Sequence, residues 1–372
     1  MRIYLDHNAG APLRAEVRAA MLAVLDAPAN PSSAHREGAR ARTLLEGARA
    51  DVAALVGARP AEIVFTSGAT EANNLALRGT AGGILTTAIE HASVLETARA
   101  LARPLTVVTV NSAGRVAADT VAVAAGPDTG IASIGLANGE VGSVAPVGAV
   151  AARLRPRGIV IHTDAAQAAA WMAIDVAALG VDLLSLSAHK LGGPAGVGAL
   201  WVRPGVDLTP QVTGGPQERG RRAGTENVAG IVGFGVAARL ARDERDEAAR
   251  RAALMIDRLW DGIRTRIESA VRHGPAAGER LPNTLNVRFA GCAGESLLVL
   301  LDLAGIAVSL GSACAAGSAE PSHVLLAMGL DAEAARSAIR MSIGPATTAG
   351  DIDRILEVLP RLVAQVRGEA GA

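Results

Sequence analysis

Lysine is nearly missing from this chain of 372 residues: of 36 cationic side chains, 35 are arginine and one, Lys190, is lysine. Cysteine is almost as scarce. Cys292 and Cys314 are too few for a disulfide framework or a cysteine-rich metal site, and no metal centre is expected. Only seven residues are Phe, Tyr or Trp, so stacking partners for a planar ligand are few. Net charge is also lacking, with 36 acidic residues against 36 basic ones, which argues against electrostatic capture of nucleic acid or of an anionic membrane. The longest apolar stretches, near Val228–Ala241 and Ser296–Leu310, are too short or carry charge, so no membrane span is expected. The N-terminus lacks the basic, apolar, small-residue order of a secretory leader. A soluble cytoplasmic protein is the expectation.

The surviving lysine carries information. An arginine excess with abundant Ala and Gly is what a GC-rich genome produces, and a surface cation can be either residue. A guanidinium, however, stays protonated and cannot act as an amine nucleophile, whereas an ε-amine can form an imine. A chain that has drifted to Arg everywhere else retains lysine where an amine is needed.

From about residue 48 to residue 202, short β-rich apolar runs alternate with helical patterns. Strands are expected at Ile63–Thr66, Ile84–Thr87, Leu105–Val110, Ile131–Leu136, Ile159–Thr163, Leu183–Ser187 and Ala199–Val202. Helices are expected at Val17–Leu25, Glu37–Leu55, Thr70–Arg78, Ser93–Leu101 and Val147–Leu154. That alternation predicts an α/β domain whose mainly parallel seven-stranded sheet is flanked by helices, with ligand-binding residues at the strands' carboxyl ends. A long helical pattern over Asn227–Ile267 follows, and beyond Pro275 mixed strands and helices suggest a smaller α+β domain. The expected division is 14–250 for the large domain, and 1–13 with 251–372 for the small one.

Chemistry-bearing residues cluster where apolar runs end. Ser185-Leu-Ser187-Ala-His189-Lys190 enters a glycine-rich turn, which places an amine beside two hydrogen-bonding side chains suited to a phosphate. Asp164 ends another run, with Gln167 three residues on; a carboxylate there suits a protonated pyridine nitrogen, or simply caps a helix. Ser67-Gly-Ala69-Thr70-Glu71 leads from a strand into a helix, an arrangement whose free N–H groups favour a phosphate, although capping by Glu71 explains part of it. His91 can stack on a ring, and Asn138 can orient a ring oxygen or a substrate carboxylate; each is otherwise an ordinary turn residue. Arg340, inside a strand-like run, needs an anion, either a substrate carboxylate or an internal ion pair. Cys314 lies in a run of Gly, Ser and Ala (about 309–322) expected to be a mobile loop carrying a reactive thiol, while Cys292 is expected to be buried.

Together these motifs resemble the cysteine desulfurases, a family of fold-type I pyridoxal-phosphate enzymes within the class V aminotransferase-like group. The resemblance rests on Tyr4–Ala9, Asn30–His35, Phe65–Glu71, Glu90-His91, Asn138–Gly142, His162–Gln167, Ser187–Lys190, Gly214–Gly220, Arg222–Asn227, Gly311–Cys314 and Ile339-Arg340. It implies pyridoxal 5'-phosphate as cofactor, held covalently by Lys190, with Asp164 on the pyridine nitrogen and His91 stacked on the ring. Ala69, Thr70, Ser187 and His189 would hold the phosphate, and Thr225 would reach the phosphate of a second copy, hence a homodimer. Asn138 and Gln167 would contact the ring oxygen, and Asn138 with Arg340 the substrate carboxylate. Lys190, His91 and Cys314 would be catalytic, converting L-cysteine to L-alanine with a persulfide on Cys314. The long segment around Cys314 resembles the subgroup serving iron–sulfur scaffolds and tRNA-thiolation enzymes. Departures from the family pattern are Ala9-Gly-Ala-Pro12, Ala195 and Pro216, none of them in the implied catalytic set. Two alternatives stay open: a selenocysteine lyase or aminotransferase on the same scaffold, and an idle sulfur-carrier scaffold that only binds partners.

Overall fold

A computed structural model describes residues 2–26, 30–311 and 320–368. The expected segment around Cys314 lies mostly outside the described residues, and Cys314 itself does. The described strands are β1 (Ile3–Tyr4), β2 (Ile63–Thr66), β3 (Gly83–Thr87), β4 (Leu105–Val108), β5 (Thr129–Ser133), β6 (Val160–Asp164), β7 (Leu183–Ser187), β8 (Gly198–Val202), β9 (Ala270–His273), β10 (Thr284–Phe289), β11 (Ile306–Ala307) and β12 (Ala338–Ser342). Seven of them form one sheet in the order β2-β8-β7-β6-β5-β3-β4. Its five central and outer strands β7, β6, β5, β3 and β4 run parallel, and β8 is antiparallel to both neighbours. The seven expected strands are therefore the seven observed, and the sheet is mainly parallel, with ends shifted by a few residues.

The central strands are apolar on both faces because helices cover both sides. Helices α1 (Ala15–Leu25), α2 (Arg36–Leu55), α3 (Ala69–Gly79) and α4 (Ala92–Ala100) precede or follow the first strands. A continuous helix over Val228–Arg266 packs its N-terminal half against α1 and α2. Phe234 from that helix meets Phe65 of β2 edge-on at 6.3 Å in the core. In parallel sheets the chain must cross over between strands; here it leaves β3 outward to β4 and returns through β5, β6 and β7 the other way. The reversal between β3 and β5 opens a crevice at the strands' carboxyl ends.

The second sheet has the order β12-β10-β9 and is antiparallel. The N-terminus joins its neighbourhood: β1 pairs with β11, and Asp6 bridges to Ser342 at the end of β12. Asn8 then continues into a buried hydrogen-bond cluster with Thr284 and Asn283. This route carries the N-terminal strand across the mouth of the crevice. No described helix is long and apolar enough to cross a membrane, and among the described residues no cluster of His, Cys, Asp and Glu is arranged to hold a metal. Cys292 is buried and unpaired.

Candidate active site

A cavity of about 790 Å³ occupies the crevice. Ala69, Thr70, His91, Asn138, Asp164 and Gln167 line it together with Ser187, His189, Lys190 and Arg340, so ten of the expected residues converge. Thr225 does not line it; it is exposed, on a segment tied to the start of α3 by the Arg222–Glu71 ion pair at 2.8 Å.

Each side chain is placed by the end of a strand. Lys190 follows β7, and its Nζ donates to the carbonyls of Ala9, at 3.0 Å, and Asn8. Ser187 and His189 share a hydrogen bond between Oγ and Nδ1 at 2.8 Å. Burial, with the nearby Lys190 ammonium, pushes the His189 imidazole down to about 4, so it is neutral at pH 7. Asp164 ends β6, where Oδ1 accepts from the Ala166 N–H at 2.9 Å and Oδ2 from the Asn73 amide at 2.7 Å. Gln167 donates to the carbonyl of Asn8 at 3.0 Å. His91 follows β3 and N-caps α4, accepting from Ser93 N–H at 3.1 Å, with its ring exposed along the cavity.

Asn138 serves its own turn: its Oδ1 accepts from Glu140 and Val141, and its Nδ2 donates to Ile89 O. Arg340 sits in β12 with its side chain 3% exposed, so its internal partners matter. Nη2 pairs with Asp6 at 2.6 Å, and Nη1 donates to the carbonyls of Gly311, at 2.7 Å, and Gly139, at 3.2 Å. The internal ion pair weighed from the sequence is thus present. Nε remains buried with no partner among the described residues, a donor left over for an anion.

Several buried polar residues at or behind the cavity escaped sequence reasoning. Glu90 is fully buried in the cavity wall; burial pushes its carboxyl up to about 7, although Thr87 Oγ and Gly135 N–H donate to it at 2.6 and 2.8 Å. His162 spans the sheet between Ser133 Oγ, at 2.8 Å, and Ser185 Oγ, at 2.9 Å; burial lowers it to about 4. Glu140, also buried and raised by desolvation, accepts from Ser322 Oγ at 2.5 Å. Behind the site, Arg49 and Glu218 form a buried pair at 2.7 Å, and Glu218 also takes the Phe65 N–H at 2.9 Å. That pair pins the segment 214–227 onto β2.

These donors suit a phosphorylated pyridine aldehyde. An amine and a half-buried carboxylate face one cavity, and α3 begins there at Gly68 with no side chain capping its first-turn N–H groups. The turn can lie so close to the sheet because Gly198 of β8 lacks a side chain: a Cβ there would come within 2.5 Å of the Gly68 backbone.

Comparison with known proteins agrees with this geometry. The aminotransferase class-V family model matches residues 3–355. The chain is 42% identical to "Cysteine desulfurase IscS" of Dictyoglomus turgidum, over 98% of this chain and 95% of that one. It is 39% identical to "IscS-like cysteine desulfurase" of Mycobacterium tuberculosis, over 99% and 98%. Among solved structures, a "NifS-like protein" superposes with a TM-score of 0.91 at 36% identity, covering 98% of this chain and all of that one. "SspA in complex with cysteine" superposes at 0.82 and 35% identity, covering 94% of this chain and all of that one. The chain belongs to the aminotransferase class-V family and, within it, to the cysteine desulfurases.

Proposed function

We propose that this chain binds pyridoxal 5'-phosphate through Lys190 and takes sulfur from L-cysteine onto Cys314, releasing L-alanine. The observation that carries this reading is the convergence of Lys190 Nζ, the Asp164 carboxylate and the uncapped start of α3 on one cavity. The cofactor, when bound, supplies an electron-accepting ring that makes the substrate's Cα–H acidic.

The chain's own residues do the rest. Asp164, held by Asn73 and Ala166, offers a carboxylate for the pyridine nitrogen. The α3 N–H groups of Ala69 and Thr70, with Ser187 and His189, hold the phosphate; neutral His189 can donate there through Nε2, since Nδ1 faces Ser187. Gln167 and Asn138 flank the ring oxygen, and Arg340 Nε with Asn138 takes the substrate carboxylate. His91, which lines the same cavity, would stack on the ring. Lys190 Nζ would take the Cα proton of the substrate and hold it. Cys314 Sγ, as thiolate, then bonds to the substrate sulfur as the Cβ–S bond breaks. That electron pair stays with carbon, and protonation gives alanine, leaving a persulfide on Cys314 for an acceptor protein such as an iron–sulfur scaffold or a thiolation enzyme.

Thr225 is exposed and lies outside its own cavity, which supports its assignment to a second copy's phosphate in a homodimer with shared sites. Incubation of the cofactor-loaded protein with L-cysteine should yield equal alanine and protein-bound sulfur in one turnover. Cys314→Ser should lose sulfur transfer while keeping the visible absorbance of the bound cofactor. Unchanged alanine production by that variant would refute the persulfide step, and mercaptopyruvate in place of alanine would favour transamination.

A further inference from the structure

Asn73 is completely buried in α3, on a face it shares with the buried Ala76 and Leu77. An amide in such a place is costly unless it is fully bonded. Only its Nδ2 is bonded. One N–H goes to Asp164 Oδ2 at 2.7 Å and the other to Ser93 Oγ at 2.9 Å, while Oδ1 has no partner among the described residues. The carboxylate dictates this orientation: an ionised Asp accepts only, so the amide must turn its nitrogen inward and leave its oxygen unmet.

The direction of the next bond follows. Because Ser93 Oγ accepts from Asn73, its hydroxyl hydrogen is available to the imidazole nitrogen at 2.8 Å, His91 Nδ1. The Ser93 backbone N–H points at the same nitrogen at 3.1 Å. With two donors aimed at it, Nδ1 must accept, and the ring proton sits on Nε2. One buried amide therefore joins the carboxylate at the end of β6 to the imidazole after β3, although the two lie on non-adjacent strands.

We propose that Asn73, acting through Ser93, is a positioning residue that locks Asp164 and His91 into one hydrogen-bonded unit and fixes His91 as its Nε2–H tautomer. The inference rests on the proposed reading of the cavity for its consequence: the two groups assigned to the edge and the face of the cofactor ring are set by a single bridge. It does not need that reading for its geometry.

The test follows the tautomer and the turnover separately. Nitrogen-15 NMR of histidine-labelled full-length protein without added cofactor, with the His91 signals identified from a His91→Gln spectrum, should show wild-type Nδ1 as an unprotonated nitrogen. Asn73→Leu and Ser93→Ala should each admit a measurable Nδ1–H population, and Ser93→Thr, which keeps the hydroxyl, should restore the wild-type pattern. In the cofactor-loaded enzyme, Asn73→Leu should lower kcat about tenfold, the worth of one hydrogen bond to a charged group, with KM within about twofold. Its visible circular dichroism, which reports how the ring is held, should fall, and Ser93→Thr should keep the wild-type signal. A wild-type His91 protonated at Nδ1, or an unaltered tautomer in both Asn73→Leu and Ser93→Ala, would overturn the proposal. Because the NMR arm uses no cofactor, failure of the cofactor assignment would leave it standing and would appear instead as loss of the visible signals in wild type.

Discussion

On the side of the cavity built by the seven-stranded sheet, polar side chains are bonded to one another: Asp164 to Asn73 to Ser93 to His91, Ser187 to His189, Thr87 to Glu90. On the side built by β12, Arg340 is held mainly by backbone carbonyls of Gly139 and Gly311, with Asp6 as its ion-pair partner. In the proposed reading, the first wall would fix the electrostatics that a bound ring experiences. The second carries Arg340, the cation proposed to meet the substrate, and leads, through Gly311, into the segment containing Cys314. Only the first wall requires mutual cross-linking, because buried dipoles stabilise developing charge best when they need not reorganise.

The largest expected effect sets the amine apart from every other group on either wall. Lys190→Arg preserves the charge and removes the nucleophile; alanine formation from L-cysteine should fall about a thousandfold or more, and visible cofactor absorbance should vanish. Retained activity would make the amine dispensable.

Next comes the support behind the first wall. Glu218→Ala leaves Arg49 buried without its partner and should cost about 3–5 kcal/mol in urea unfolding. A loss below 1 kcal/mol would show that segment 214–227 is pinned by something else.

The buried titratable groups of the first wall give opposite pH dependences. His162 titrates near 4 in the folded chain and near its ordinary 6.5 when unfolded, so its share of stability is present above 6.5 and lost as pH falls towards 4. Glu90 titrates near 7 folded and near 4.5 unfolded, so its share is present below 4.5 and lost as pH rises towards 7. Each share is roughly 3 kcal/mol. Glu90→Gln should therefore steepen the loss on acidification between pH 6.5 and 4.5 relative to wild type, and His162→Gln should lessen it. Parallel stability–pH curves for all three proteins would contradict this assignment.

Smallest is the effect on the second wall. Arg340→Lys keeps the charge but loses the planar fork, and should raise KM for L-cysteine about tenfold while leaving kcat within about threefold. A fall in kcat alone would move Arg340 from substrate binding to the chemistry.

Much of this was legible in the sequence because apolar runs ending in Lys190, Asp164, His91 or Ser187 report both a strand and what sits at its carboxyl end. The seven-stranded sheet came from the same alternation. Arg49 with Glu218, 169 residues apart, left no local trace, since pairing across such a distance has no periodicity. Strand β9 and the helix over Ala118–Ala124 were missed; β9 is partly exposed and lacks an alternating pattern. Asn73 had a signal that was overlooked: an amide on the apolar face of a short helix, where the hydrophobic pattern calls for Leu or Ala. The assignment of Thr225 rested on family resemblance alone, while Gln167 and Asn138 were raised by their places after apolar runs and narrowed by that resemblance, because each is a common turn residue whose ligand no spacing reveals.

The proposed cofactor chemistry depends on a single amine. Borohydride reduction of the pyridoxal-phosphate-loaded protein, followed by peptide mapping, fixes the cofactor to whichever nitrogen holds it. With one lysine in the chain, the only competing amine is the N-terminus. The label is expected on the peptide containing Lys190; a label confined to the N-terminal peptide, or none at all, would contradict the assignment on which the rest stands.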